Sequence, residues 1–454
     1  MANVIRLRKG LDIHLQGKAE ETKLNLKSNG HFALVPDDFE GVVPKVVVRE
    51  GDVVKAGDAL FVNKLYPEVR FASPVSGKVT AVVRGERRKV LSVKVEAYAE
   101  QQYVDYGKKD VTKMDGKAVV DALLEAGLFG YINQLPYAIS TNPSVMPKSI
   151  FVSALRDKPL AGNFEFEVKG QEQDFVTGLQ VLSKIAKTYL GLGIQPDLQA
   201  KLQQMNVEKD VELTVFEGKC PAGNVGVQVN HIDPVNKGEV VWTIGDPTVV
   251  LFIGRLFNTG KVNLTRTVAL CGSEVKKPCY ADMLVGQELS TLLSNSYDAD
   301  HSVRIINGNV LTGTVTTKDG FLGAHTSEIT VIPEGDDNNE MLGWIMPRFG
   351  QFSVSRSYFS CLFGKKQYAL DARVKGGERH MIMSGEYDKV LPMDIYGEYL
   401  IKAIIAGDID KMEQLGIYEV APEDFALAEF VDSSKLELQR IVREGLNNLR
   451  KENA

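Results

Sequence analysis

The sequence predicts a multidomain α+β protein, and three observations carry that expectation. Its 454 residues exceed the ~250–300 at which a single core stops growing, so roughly two to four domains are expected. Short β-branched runs between glycine turns fill residues 45–80, the pattern of small strands. Strands then alternate with a long helical pattern between residues 150 and 244, and further helical patterns occupy the last stretch.

The first β-rich stretch is punctuated by two acidic-glycine turns, Glu50-Gly51-Asp52 and Ala56-Gly57-Asp58. Glycine there supplies a positive φ, and Val46, Val48 and Val53 read as small buried strands. Ala72-Ser73-Pro74-Val75-Ser76-Gly77-Lys78-Val79 repeats the turn-then-strand pattern. This resembles the barrel-sandwich hybrid of biotinyl and lipoyl carrier domains. A carrier places its lysine about seven residues before the Ser-Pro, a position here near Tyr66. The nearest lysine, Lys64, reads as a solvated hairpin residue, so the fold is expected without the swinging arm.

Composition narrows the function classes. The chain is 44% hydrophobic and 25% charged, ordinary for a soluble protein. A net charge of -6 argues against nucleic acid as a partner. The one dense basic run, Arg84-Gly85-Glu86-Arg87-Arg88-Lys89, reads as a hairpin turn between valine-rich strands. No stretch approaches the ~18 apolar residues of a membrane span, and charges stand where a signal peptide needs an apolar core. A cytoplasmic chain, peripheral to a membrane if associated with one, is the expectation. Cys220, Cys271, Cys279 and Cys361 are scattered without a CxxC, which suggests reduced thiols and neither an iron–sulfur nor a structural zinc site.

Residues 1–40 read as an extended segment leading into the barrel. After a polar stretch at 101–113, Asp115 caps a helix with Val119, Val120, Leu123 and Leu124 on one face and Gly127 at its end. Its exit holds Phe129, Tyr131 and Tyr137, either satellite core under a loop or the walls of a slot for a flat apolar ligand. Ile150-Phe151-Val152-Ser153-Ala154 reads as a buried parallel strand. A helix is expected next, with Phe175, Leu179, Leu182, Ile185 and Tyr189 at helical spacing. Val211-Glu212-Leu213-Thr214-Val215-Phe216 and Val240-Val241-Trp242-Thr243-Ile244 are further strands, giving a Rossmann-like layer.

Between those strands, Cys220 to Val235 reads as a loop in which Gly223 and Gly226 bring backbone N–H groups close to a phosphate or a flat ring, or simply make a turn. It matches neither GxGxxG nor a phosphate-binding lysine loop. His231 reads as a hydrogen-bonded loop histidine, and no catalytic triad or dyad can be assigned. From Thr265, a strand, a helix near Leu289-Ser290-Thr291-Leu292-Leu293 and the strand Val303-Arg304-Ile305-Ile306-Asn307 resemble a β-grasp module of the soluble-ligand-binding type. The polar run Glu334-Gly335-Asp336-Asp337-Asn338-Asn339-Glu340 closes it. The remainder reads as mainly helical. One helix follows Asp394, carries Tyr399, Leu400, Ala403 and Ile404, and stops at Gly407. A last one opens at Ser434.

The expected domains are thus a segment at 1–40, a barrel-sandwich hybrid at 41–100, a Rossmann-like domain at 101–264, a β-grasp domain at 265–340 and a helical region at 341–454. That order, with Lys9-Gly10-Leu11-Asp12, Ser73-Pro74-Val75-Ser76-Gly77, Pro221-Ala222-Gly223, His231-Ile232-Asp233-Pro234-Val235, Val241-Trp242-Thr243-Ile244-Gly245, Lys276-Lys277-Pro278 and Leu391-Pro392-Met393-Asp394-Ile395, resembles the NqrA family over nearly the whole chain. That family comprises one of the subunits of bacterial Na+-translocating NADH:quinone oxidoreductases. A more distant likeness reaches the C subunit of Rnf-type complexes and the flavin-binding subunit of complex I. The former's cysteine clusters and the latter's glycine-rich flavin loop have no counterpart here.

The resemblance implies a subunit without a tightly bound redox centre on the cytoplasmic side of the bacterial inner membrane. NADH, flavins and an iron–sulfur centre then belong to partner subunits, some of them membrane-embedded, and ubiquinone or a related quinone is the substrate. Quinone reduction needs a flat apolar slot, hydrogen-bond donors to the carbonyls and a proton route. Phe129, Tyr131, Tyr137 and Trp242 are the candidate slot residues, Gly223 and Gly226 the close backbone, and His231 with Asp233 the polar groups. No catalytic residue and no metal ligand is expected in this chain. The alternative is a purely structural scaffold subunit of this or an Rnf-like complex.

Overall fold

A computed structural model describes residues 3–298, 300, 302–336, 345–364 and 366–453. Among these, the strands form sheets of seven, six, four and three. Residues 3–34 contribute a strand to three of the four. β1 (Asn3–Arg6) runs parallel along one edge of the largest sheet, with Asn3 opposite Thr214. β2 (Lys23–Leu24) extends the six-stranded sheet beside Tyr280 and Ala281, and β3 (His31–Leu34) extends the four-stranded one, Phe32 opposite Val95. The expected extended lead-in is therefore a staple. Each short run offers unpaired N–H and C=O groups, and each finds the edge of a different sheet.

β4 (Pro44–Val46), β5 (Val53–Val54), β6 (Ala59–Asn63), β7 (Arg70–Ala72), β8 (Gly77–Arg84) and β9 (Val90–Ala97) follow. They pair as β3-β9-β8-β5 and β4-β6-β7 around buried Leu60, Phe61, Phe71, Val79 and Val93. The acidic turns have a local cause: Asp52 accepts the Arg49 N–H at 2.7 Å and Asp58 the Lys55 N–H at 2.6 Å. Val53 corrects the sequence reading. It is 68% exposed and its neighbour Val54 is the buried one, because adjacent strand residues face opposite sides. Lys64 is exposed between β6 and β7, and the basic run turns β8 into β9.

α1 (Gly116–Glu125) begins where the Asp115 carboxylate accepts the Ala118 N–H, and Gly127 with φ 71° ends its turn. β10 (Asn133–Leu135), β11 (Ile139–Ser140) and β12 (Ser149–Ser153) lead into α2 (Phe164–Glu167), α3 (Glu172–Ser183) and β13 (Lys187–Leu192). α4 (Pro196–Gln204), β14 (Val211–Glu217), α5 (Val225–Ile232), β15 (Val241–Ile244) and α6 (Thr248–Thr259) complete the layer. The strand order is β1-β14-β13-β12-β15-β10-β11, and β12 through β15 are mutually parallel. Two expectations change here. The long helix stops at Ser183, and Tyr189 lies in β13, stacked 4.6 Å from Phe151. A strand covered on both faces is continuously apolar, so it extends a helical pattern unnoticed. The stretch read as a loop before Val235 contains α5, which places Gly226 and His231 on a helix.

β16 (Thr265–Cys271), β17 (Cys279–Leu284), α7 (Ser290–Leu293), β18 (Val303–Asn307), β19 (Thr314–Thr316) and β20 (Glu328–Pro333) build the six-stranded sheet, ordered β19-β18-β20-β16-β17-β2. Residues 337–340 of the expected closing loop lie outside the described residues. Among the described residues after 344, no α-helix forms before α8 (Tyr387–Val390), and a 3-10 turn at Phe359–Leu362 breaks the otherwise irregular stretch. The helices are then α9 (Gly397–Ala406), α10 (Ile409–Gln414), α11 (Ala426–Val431) and α12 (Leu438–Glu452). Gly407 ends α9 as expected, but Tyr399 is 57% exposed while Leu400, Ala403 and Ile404 are buried. Ser434 lies before α12, its hydroxyl donating to the His380 carbonyl.

Candidate functional site

The parallel strands place one crevice by topology alone. Chain order runs from β12 through β13 to β14 on one side, and β15 returns on the other side of β12. Loops leaving β12 and β15 therefore diverge, and a crevice opens at their carboxyl ends. A cleft of about 490 Å³ lies there. Its floor is Leu155, Arg156, Asp157 and Lys158 after β12 and Gly245 and Asp246 after β15. Gly223, Asn224, Val225 and Gly226, around the start of α5, form one wall. The other sides come from Asp38 of the first domain, Asn307 to Asn309 and His325 of the six-stranded sheet, and Pro422, Glu423 and Arg443 of the C-terminal helices. Every region of the fold reaches it.

Beneath the cleft sits a buried ionic network. Arg156 Nη1 donates to both oxygens of Glu167 at 2.7 and 2.6 Å, and Nη2 donates to Asp246 at 2.9 Å and to Thr248 Oγ1 at 3.1 Å. Arg266, fully buried, donates to the Ala324 carbonyl at 2.8 Å and pairs with the other Asp246 oxygen. Burial pushes Asp246 towards protonation, but the two guanidiniums outweigh it and hold the carboxylate well below the usual range. Burial likewise opposes the charge on Arg156, and Glu167 and Asp246 more than offset it. His325 has its ring 5.6 Å from both Phe39 and Tyr131, and burial lowers it to about 4, so the imidazole is neutral near pH 7.

Three carboxyls around the cleft behave differently. Asp157 accepts the Gly223 N–H at 2.8 Å and has its second oxygen buried without a partner; burial raises it to about 6. Asp38 accepts the Ala324 N–H at 2.9 Å, and burial raises it to about 6. Asp424 accepts from Asn224 Nδ2 at 3.0 Å and the Ala421 N–H at 2.9 Å, and burial with Glu423 beside it raises it to about 7. The Tyr131 hydroxyl and the Asn224 carbonyl oxygen are also buried without partners. The site thus combines proton-exchanging acids near neutral pH with open hydrogen-bonding positions.

Comparison with known proteins is consistent along the whole chain. Family profiles match the NqrA N-terminal barrel-sandwich hybrid domain at residues 5–98, the NqrA second alpha/beta domain at 114–262 and the NQRA C-terminal domain at 267–318. The NqrA protein of the Na(+)-translocating NADH-quinone reductase of Yersinia pestis bv. Antiqua (strain Angola) is 33% identical over 452 residues, 99% of this chain and all of that one. Its counterpart in Haemophilus influenzae (strain PittGG) is 34% identical over 457 residues, with the same coverage. The chain belongs to the NqrA family. A solved NAD+-reducing NiFe hydrogenase in the H2-reduced state aligns with a TM-score of 0.37 at 12% identity, over 78% of this chain and 67% of that one, too slight a likeness to carry an argument.

Of the residues this NqrA-family sequence nominated, the fold brings Tyr131, Gly223 and Gly226 together at the cleft. Phe129 and Trp242 are fully buried below it, edge to face with centroids 5.3 Å apart. Tyr137 is half-buried with φ 83°, its carbonyl accepting from Arg443 at 2.8 Å. His231 and Asp233 lie at the far end of α5, which runs antiparallel to the strands. His231 is exposed, and Asp233 pairs with Lys148 at 2.8 Å beside the amino end of β12. The two glycines serve the chain's own carboxylates. A Cβ on Gly223 would lie 2.7 Å from Asp157 Oδ1, and one on Gly226 2.5 Å from Asp424 Oδ2.

Asp38, Arg156, Asp157, Asp246, His325 and Asp424 escaped the sequence reading. The available signal was position: Arg156-Asp157-Lys158 and Gly245-Asp246 directly follow strands that the sequence did show. Their arrangement also disfavours a phosphate. Asp157 and Asp424 occupy the start of α5, where a nucleotide's phosphate would seek N–H groups. Among the described lining residues, Asp37, Asp38, Glu40, Asp157, Asp246, Glu328 and Glu423 face only Arg156, Lys158 and Arg443. Such a cleft repels anions and suits a neutral ligand.

Proposed function

We propose that this chain is a peripheral, cytoplasmic-side subunit of a Na+-translocating NADH:quinone reductase of the bacterial inner membrane. It takes part in quinone binding and reduction and in assembly of the complex. NADH, flavins and an iron–sulfur centre then belong to partner subunits, and no redox centre is held tightly here. Full-length kinship with named reductase subunits supports the complex, and the observation that carries the quinone role is the cleft itself. It is neutral-ligand-friendly, with the Tyr131 hydroxyl unpaired and Asp38, Asp157 and Asp424 able to hold protons near pH 7. The chain's part is to seat a quinone ring beside Tyr131, Leu135 and Ala138, donate a hydrogen bond to a carbonyl, and hold protons at the carboxyls. We also read the seven-stranded layer as Rossmann-like and the six-stranded sheet as β-grasp. Among the described residues no helix is long and apolar enough to cross a membrane, which suits a peripheral placement.

A second reading, a scaffold without substrate, draws on the exposed apolar rings near Phe359. Two measurements separate them. Tagged chain purified from native membranes in mild detergent should bring flavin-containing partners and Na+-stimulated NADH:quinone reduction. Titration of the purified chain with a short-chain ubiquinone should saturate, and Asp157→Asn with Tyr131→Phe should weaken it about tenfold, the scale of one or two lost hydrogen bonds. Co-purification without saturable quinone binding leaves the scaffold. A chain that emerges alone and inactive overturns both.

A further inference from the structure

Residues 349–370 carry three basic side chains, Arg356, Lys365 and Lys366, and no acidic one, in a chain whose net charge is -6. The rest of the chain is therefore more acidic still, and this stretch is its electrostatic opposite. The same stretch exposes apolar bulk: Phe349 is 50% exposed, Phe359 57%, Phe363 52% and Leu362 75%. The Phe349 ring lies 5.9 Å from Phe359 and 6.3 Å from Phe363, so the three make one patch. Phe349, Phe363, Gly364 and Lys366 line a groove within it. The patch is tethered from behind. The Tyr368 N–H donates to the His14 carbonyl at 2.8 Å, and Phe352 packs 5.5 Å from the Tyr368 ring and 5.9 Å from Phe430.

Each exposed phenylalanine forgoes about 1.5–3 kcal/mol of burial, and a contiguous cluster on an anchored segment marks a contact surface. We propose that this patch docks a neighbouring member of the reductase complex, taking an apolar segment of it that bears acidic side chains. The inference rests on the reading that the chain works inside that complex. Charge selects the partner, since a stretch of basic residues with no acidic one among them favours carboxylates opposite. Shape selects a protein over a bilayer: a groove between rings accepts an inserted side chain, whereas a headgroup layer presents none.

Cys361 provides the test, because it is exposed inside the patch while Cys220 and Cys271 are buried. Alkylation of Cys361 by N-ethylmaleimide is followed by mass spectrometry on the isolated chain, on the purified complex in the same detergent, and on the isolated chain with phosphatidylcholine–phosphatidylglycerol vesicles. The expected result is a rate at least about tenfold lower in the complex alone, since access governs thiol reactivity. Phe359→Ser with Phe363→Ser, and separately Arg356→Glu, should each lower recovery of flavin-bearing partners with the tagged chain. An unchanged rate within a complex that does co-purify overturns this inference and leaves the complex assignment standing. Equal protection by vesicles overturns the protein partner in favour of lipid. Failure of the wild-type chain to co-purify removes both.

Discussion

The two ends of the seven-stranded sheet use the same residue types for opposite purposes. At the amino end, Lys148 reaches Asp233 and Glu239, both at 2.8 Å, with side chains 25%, 32% and 39% exposed. At the carboxyl end, Asp246 joins Arg156 and Arg266, whose side chains are 8% and 0% exposed. Water screens the first cluster and is absent from the second. The difference teaches that site-like residues in a sequence gain chemical consequence from the strand end they occupy, because only the carboxyl end is roofed by the other regions of the fold.

The contrast breaks most visibly at Asp246. Asp246→Ala leaves two buried guanidiniums facing each other without their shared anion, a loss of about 3–5 kcal/mol. Urea unfolding followed by circular dichroism should show the midpoint fall accordingly. A loss under about 1 kcal/mol would falsify the view that the network is desolvated.

A smaller effect sharpens the comparison through pH. Burial raises Asp157 from 3.8 to about 6. The native state therefore keeps a proton that the unfolded chain has released. Its contribution is complete below about pH 4 and is lost as pH rises through about 6, so stability declines across that window. At about 1.36 kcal/mol per unit the decline is at most about 3 kcal/mol. Asp157→Asn retains the acceptor for the Gly223 N–H and should flatten the slope, with Asp38 and Asp424 supplying what remains. An unaltered profile in the variant would show that Asp157 is solvated.

Local structure was largely legible. Asp115 and Gly127 bracket α1, the acidic turns fall at Asp52 and Asp58, and β12, β14 and β15 follow their apolar runs. Those features depend on neighbours within a few residues. What was hidden depends on distant ones. Tyr189 reads as helix until β12 and β14 flank it, and Gly223 and Gly226 read as ligand contacts until Asp157 and Asp424 arrive from elsewhere in the chain. Arg266 reads as an ordinary strand charge until Asp246 lies beside it. Residue type nominated His231 and Asp233 as the polar groups of a site, but the antiparallel run of α5 carries them to the far edge.

That far edge gives the smallest expected effect and the sharpest control. Lys148 donates to two carboxylates and to the Pro234 carbonyl at 2.7 Å, a geometry that looks stronger on paper than the Asp246 cluster. Its partners stay hydrated, so Lys148→Met should cost no more than about 1 kcal/mol, and added salt should shrink the difference. His231→Ala, which removes only an exposed ring contacting the Val227 carbonyl at 2.9 Å, should change stability by less than about 0.5 kcal/mol. Both variants should bind a short-chain ubiquinone as the wild-type chain does. If either weakens that binding as much as Asp157→Asn, the ligand sits at the amino end of the sheet, and the cleft at the carboxyl end is a structural junction.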